Sequence, residues 1–327
     1  MPIRLRSRLP CSLVATLAIV AAPVSAQSYP AKPIRVVQQY APPATADTLT
    51  RIVAGILQDG LGQPVVVENR PQSGGVAAAE MVARSAPDGY TLLVAGASTQ
   101  VIRAHLVRNS SFDPVKDFTP VAALGESPAI LVVHPSVPAR DFKALLALAK
   151  SKPNQISYST PRIGSPNHLG AEQITLLTGA RMMHVPSEGQ GDRQRGLVTG
   201  QVDTSYLILG PAQQVIKAGK ARALAVIADK RIPELPNVPA ITEIIPGYTP
   251  IGAWVGLFGP AGLPDPVLRR VNSEVRKGLN APTHRAKMAD LGYTPIVGSP
   301  EDFAALIARD LPLVGRVVKA ANIQPAE

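Results

Sequence analysis

From Ile34 onward, short apolar runs of strand character alternate with segments of helical period, and this alternation limits the possible folds more than any other feature. Ile34–Gln38 (IRVVQ), Val65–Val67, Thr91–Ala95, Ala129–Val133, Ile156–Tyr158, Gln201–Leu209, Ala223–Ala228 and Ala253–Phe258 read as strands. Leu49, Ile52, Val53, Ile56 and Leu57 fall at i, i+3, i+4, i+7 and i+8, which places one apolar stripe on a helix. Further helices are expected from Gly74-Gly75 through Met81, over Phe142–Ala149, ending at Gly219, over Pro266–Leu279 and Thr283–Leu291, and from near Pro300. Pro312 is expected to kink or interrupt the last of these, because an interior proline costs about 3 kcal/mol. Alternation of this kind predicts an α/β fold of mainly parallel sheets flanked by helices. The chain crosses between two lobes near residues 126–135 and returns near 250–258. Lobe 1 is therefore expected to hold residues 27–125 plus 252–327, and lobe 2 residues 126–251.

The stretch Ile156–Gly179 (ISYSTPRIGSPNHLGAEQITLLTG) shows where chemistry could sit. It reads as strand, loop and helix. Ser165 suits an N-cap and Pro166 the first helical position, where a missing N–H costs nothing. Gly179 suits the C-terminal cap. The N–H groups of Asn167 and His168 lie in the first turn without intrahelical acceptors, so the helix end can seat an anion. The alternative is that Ser165 caps one of these groups and water takes the rest. The Gln39–Ala46 and Gly96–Thr99 loops are corners of the same type. In parallel sheets ligands bind beyond the C-terminal strand ends, where such corners converge.

The first 26 residues read as an export signal: a basic segment with Arg4, Arg6 and Arg8, an apolar run Leu13–Ala22 too short to span a bilayer, and a small-residue cleavage site ending at Ala26. The only cysteine, Cys11, lies before that run. Cleavage after Ala26 leaves a periplasmic protein without thiol, disulfide or cysteine ligand. The chain holds 33 Lys+Arg against 23 Asp+Glu; without the three signal arginines it holds 30 against 23, a net +7. The basic residues are scattered and not interleaved with aromatics, which argues against nucleic acid, while a positive field could steer small anions toward a cleft.

No catalytic constellation is visible. His105, His134, His168, His184 and His284 show no metal spacing, and neither a G-x-S-x-G elbow nor a Walker A loop occurs. Ser98, Ser165 and Ser187 have no base at an identifiable spacing. Asp47 and Glu172, early in expected helices, are accounted for by the helix dipole.

Several strings in order, YPAKPIRVV at Tyr29–Val37, LGQPVVVENRPQSGG at Leu61–Gly75, APDGYTLLVAG at Ala86–Gly96, FDPVKDFTPVA at Phe112–Ala122, HVPSEG at His184–Gly189, IKAGKARALAV at Ile216–Val226 and GPAGLP at Gly259–Pro264, resemble the exported solute-binding proteins of tripartite tricarboxylate transporters, the Bug proteins of Bordetella and its relatives. GSPNHLGAE at Gly164–Glu172 resembles that family's second ligand loop. The resemblance implies a two-lobe periplasmic binding protein of type II-like fold, without enzymatic activity or cofactor. It also implies a monomer that grips a small organic carboxylate through backbone N–H groups and water, for delivery to integral-membrane transporter subunits. A sensor accessory acting on a membrane receptor or sensor kinase stays open as the alternative. Carried onto this chain, the ligand contacts fall at Tyr40, Ala44, Thr45, Ala46 and Asp47, at Ser98, at Thr160, Arg162, Gly164, Ser165, Asn167 and His168, and at Ser187 and Leu207. Departures stand beside these matches. Pro43-Ala44 occupies the place of the family's Gly pair, Leu207 that of a frequent Asp, and Ser187 that of a Tyr. Arg162 adds a cation in the second loop, with the apolar Ile163 beside it. The forked guanidinium of Arg162 suits a carboxylate bidentately and could replace part of the lost recognition.

Overall fold

The computed structural model describes residues 29–187 and 189–324. The expected export signal and Cys11 lie outside them. Eleven strands are assigned among the described residues: β1 (Ile34–Gln38), β2 (Val65–Asn69), β3 (Thr91–Gly96), β4 (Phe118–Glu126), β5 (Ile130–Val133), β6 (Ser157–Thr160), β7 (Met183–Pro186), β8 (Thr204–Leu207), β9 (Arg222–Val226), β10 (Trp254–Pro260) and β11 (Thr294–Pro295). They form a six-stranded sheet in the order β11-β4-β10-β3-β1-β2 and a five-stranded sheet in the order β7-β6-β8-β5-β9. Helices cover both, as the alternation predicts.

Both sheets are mixed, which corrects the expectation of mainly parallel sheets. β2-β1-β3 and β7-β6-β8 are parallel, joined through helical crossovers. β10 runs antiparallel to β3 and β4, and β5 antiparallel to β8 and β9. β5 and β10 are the strands by which the chain enters one sheet from the other, so neither is reached through a crossover helix. β4, β7 and β11 lacked a strand signal: β4 carries Pro120, the pair Ala122-Ala123 and Gly125, and the other two are short edge strands. The crossing segments are tied to each other, with the Ser127 N–H donating to Ala253 O at 3.0 Å.

Each sheet is packed on both faces. Leu49, Val53 and Leu57 join Ile34, Leu92 and Val255 on one face of the larger sheet, while Val101, Phe258, Phe303 and Val314 lie on the other. The smaller sheet buries Tyr158, Ile174 and Tyr206 on one side and Ile130, Leu197, Leu207 and Ala212 on the other. Leu169, from the helix Pro166–Thr178, is fully buried within the larger sheet's cluster, so the second loop is anchored against both bodies.

The last helix runs from Pro300 to Ala320 through Pro312 without a break, against the expected interruption. Its buried face, Phe303, Ile307, Leu313, Val314 and Val317, offsets the lost hydrogen bond. Asp310 on that face is fully buried and accepts from Trp254 Nε1 at 2.9 Å.

Candidate ligand-binding cleft

The second loop is built as its sequence indicates, with one consequence for chemistry. Ser165 is the N-cap of the Pro166–Thr178 helix, and its Oγ accepts from the His168 N–H at 3.3 Å. Pro166 has no N–H. Leu169 donates to Ser165 O at 2.9 Å, the first intrahelical bond. Asn167 is thus the one first-turn amide with no acceptor among the described residues. The expectation that His168 offers its backbone N–H to a ligand is corrected, because the cap has taken it.

Gly164 has φ +75°, a conformation that favours glycine, and a Cβ there would collide with the end of the Leu106 side chain. Its N–H donates to His168 Nδ1 at 3.2 Å. The loop therefore turns back on its own helix and lays Gly164 against the larger sheet's body.

A cavity of about 290 Å³ lies at that contact. Gly74, Val76, Ser98, Thr99, Ile102, Arg103, Leu106 and Val107 line it from the larger sheet's side, and Arg162, Ile163 and Gly164 from the smaller sheet's side. Ser98 opens a π turn, Ser98–Ile102, which runs into a short helix, Arg103–Leu106. Ser98, Ile102 and Leu106 share one face at a spacing of four, and that face is the cavity wall. Arg162 and Ser187 also line a second cavity of about 330 Å³ with Pro161 and Pro186. A third, of about 510 Å³, lies between Ile163, His168, Glu172, His184 and Pro186 and the C-terminal residues Ala321–Gln324. Ser98, Arg162 and Gly164 are the expected contacts that one cavity brings together. Arg103, Val76, Ile102 and Leu106 were missed; for Ile102 and Leu106 the four-residue spacing after Ser98 was the available signal.

Other expected contacts lie elsewhere. Leu207 is fully buried in the core, opposite Ile130, and corrects the expectation of a ligand wall there. In a strand whose alternate residues face opposite sides, its register points it inward. Thr160 is buried, and its hydroxyl is 2.7 Å from His184 Nε2. Asp47 is buried and accepts from Gln38, from Asn69 Nδ2 at 2.7 Å and from Arg51 Nε at 3.1 Å. Its carboxylate is consumed by the fold. Burial raises its pKa, but the bonds from Arg51 and Asn69, the Arg51 charge and the bond from Gln38 together hold it below the usual carboxylate range. Tyr40 is half-buried, its hydroxyl against Gly96, and Ala46 is buried in the core. Ala44 caps the Thr45–Leu61 helix in an exposed turn, and Thr45 is half-buried at the start of that helix. None of these seven lines the three cavities described.

Behind the second loop the His168 ring packs on His184 at 4.3 Å between centroids, and His184 on Tyr158 at 4.9 Å. Tyr158 donates to Glu172 at 2.8 Å, and His168 Nε2 lies 3.8 Å from the same carboxylate. Burial, then the neighbouring His168, pushes the His184 pKa down to about 4. Burial also lowers that of His168, against the opposing pull of Glu172. An unfolded histidine titrates near 6.5, so between about pH 6.5 and 4 the unfolded chain binds more protons than the folded one. Stability is expected to fall as pH drops through that window. His184→Gln, which keeps a partner for Thr160, is expected to flatten the fall, read from urea midpoints at several pH values. An equal slope in both proteins contradicts this assignment.

A family model described as tripartite tricarboxylate transporter family receptor matches residues 49–323. Protein BugT of Bordetella pertussis is 32% identical over 303 residues, 92% of this chain and 92% of that protein. An R. palustris protein solved with adipate superposes with a TM-score of 0.77 at 30% identity, covering 91% of this chain and 100% of that one. MatC of Rhodopseudomonas palustris, solved with bound malate, gives a TM-score of 0.70 at 31% identity, covering 89% of this chain and 100% of the other.

Proposed function

Because this chain belongs to the tripartite tricarboxylate transporter receptor family, we propose that it captures a small organic carboxylate between two lobes in the periplasm and delivers it to integral-membrane transporter subunits. It is a solute receptor and not an enzyme. The carrying observation is the cavity whose walls come from both sheets, with Arg162 and Gly164 on one side and Ser98 on the other. The lobes are taken as residues 27–125 plus 252–327 and residues 126–251. The paired crossing segments at Ser127 and Ala253 support a hinge between them. Asn167 supplies the free amide of the second loop, and Ser165 and His168 hold that loop in shape. Adipate and malate in the relatives support a carboxylate here as well. Export with cleavage after Ala26 and action as a monomer complete the reading. Among the described residues no helix is long and apolar enough to cross a membrane.

A thermal-shift screen of mono-, di- and tricarboxylates tests this reading. A true ligand at ~100 times its dissociation constant adds about 2.7 kcal/mol to stability. Scattering is expected to show a smaller radius of gyration with that ligand bound, since contacts from two bodies favour closure. Failure of every carboxylate to shift the melting temperature overturns the proposal. Loss of carboxylate uptake in cells lacking the protein supports delivery to a transporter; intact uptake with a lost transcriptional response supports the sensor alternative.

A further inference from the structure

The cleft cavity holds an electrostatic imbalance. Two arginines line it, Arg103 from the larger sheet's side and Arg162 from the smaller's, and among the described residues that line it there is no Asp or Glu. Two cations facing one small, partly apolar space repel each other, and an anion between them is stabilised by both. The two side chains are held differently. Arg103 Nε donates to Ser110 Oγ at 3.2 Å, and its guanidinium carbon lies 5.5 Å from the centroid of the Phe112 ring. Its stem is therefore fixed, with the terminal N–H groups of the fork left to point elsewhere. Arg162 is exposed and makes no side-chain hydrogen bond or ion pair among the described residues. It borders both the cleft cavity and the neighbouring one at Pro161, Pro186 and Ser187, so it has room on either side. Val76, Ile102, Leu106 and Ile163 line the same cavity as the two cations, and Ile163 is 61% exposed.

We propose that Arg103 and Arg162 form a two-armed clamp, Arg103 the fixed arm and Arg162 the mobile one, in which a ligand with acidic groups at both ends of an apolar spacer bridges the lobes and draws them closed. This rests on the reading of the cleft as a carboxylate site. One acidic group docks on the preorganised Arg103, whose ordering cost is already met by Ser110 and Phe112. The spacer covers Ile102, Leu106 and Ile163. The second acidic group recruits Arg162, and with it the loop anchored at Gly164. A ligand with one acidic group engages Arg103 alone and leaves the lobes apart. Recognition by two side chains from opposite lobes in this way compensates for the first loop, where Pro43 offers no N–H and Ala44 caps a helix in an exposed turn.

The test is calorimetric titration of α,ω-dicarboxylates from succinate to suberate and of monocarboxylates of equal length. Wild type, Arg103→Gln, Arg103→Lys and Arg162→Gln are compared, with scattering on each complex. The best dicarboxylate is expected to bind wild type at least about tenfold more tightly than its monocarboxylate match, as one charged hydrogen-bonding partner implies. Arg162→Gln is expected to bring the dicarboxylate down to the monocarboxylate's affinity, leave the latter unchanged, and leave the complex as extended as the free protein. Arg103→Gln is expected to weaken both ligand types at least about tenfold, with Arg103→Lys recovering part of the loss. The ligand-free melting temperature of Arg103→Lys shows whether loss of the Ser110 and Phe112 contacts has disturbed the fold. Equal binding of mono- and dicarboxylates by wild type, or dicarboxylate binding that survives Arg162→Gln, overturns the clamp and leaves the carboxylate receptor standing. No binding of any acid in either series, or in the wider thermal-shift screen, removes both.

Discussion

Replacing Asp47 by alanine is expected to lower stability by roughly 3 kcal/mol, the order set by losing charged hydrogen bonds and stranding buried donors. Asp47 lies on the first turn of the Thr45–Leu61 helix, turned toward the sheet, and is 4% exposed. Without it the amides of Gln38 and Asn69 lose a buried acceptor, and Arg51 loses its partner in the first helix. Asn69 Nδ2 also donates to Tyr40 O at 2.8 Å, so the turn after β1 loosens with it. Asp47→Asn is expected to recover little, because its own NH₂ would face donors. The pKa of this carboxylate is depressed in the folded state. Its contribution is complete above the unfolded carboxyl value near 4 and disappears as pH falls below it. The histidine window lies higher, so the two effects separate in a pH series. Urea unfolding at pH 7 checks the magnitude, and a loss below about 1 kcal/mol would show that the network is not a stabilising one.

Gly256→Val is expected to destabilise by about 3 kcal/mol or more, the upper range of overpacking. Gly256 lies inside β10, which is flanked by β3 and β4. A Cβ there would lie 2.6 Å from Phe303 Cε1. That ring cannot give way, since it packs on Trp254 at 5.3 Å and on Phe258 at 5.0 Å, and all three are buried. Ligand binding is expected to survive in whatever fraction remains folded, because the cleft residues are untouched. Pairing the change with Phe303→Leu is expected to return part of the loss. A melting temperature for Gly256→Val equal to wild type would mean that the aromatic cluster can repack around it.

The candidate cleft was legible in part. Ser165-Pro166 announces a helix start whatever surrounds it, and the structure places the cap there. Gly164 and Arg162 stand in the loop that precedes it, so their presence near an open corner follows from chain order. Asp47 was visible as an acid at a helix start, but its side chain points back to Gln38 and Asn69 and not toward a ligand. Leu207 was one step of strand register from facing the other way. Ser165 could equally cap its own helix or leave its first amides open, and only coordinates show that His168 is the amide it takes.

The sequence by itself determined the local elements: strands from short apolar runs, helices from the 3.6 period, and their ends from Ser, Pro and Gly. Those signals act through neighbouring residues, so they can be read without knowing where the chain goes. It also determined the kinship, through strings that survive because each is local. Only the tertiary structure decided which corners meet. The His168 and His184 rings stack across a helix and a strand, and Arg103 and Arg162 share one cavity although the chain passes from one sheet to the other between them. Such contacts rest on strand order and on packing of both bodies around Leu106, Gly164 and Leu169. A continuous last helix through Pro312 has the same origin: long-range burial outweighed a local penalty.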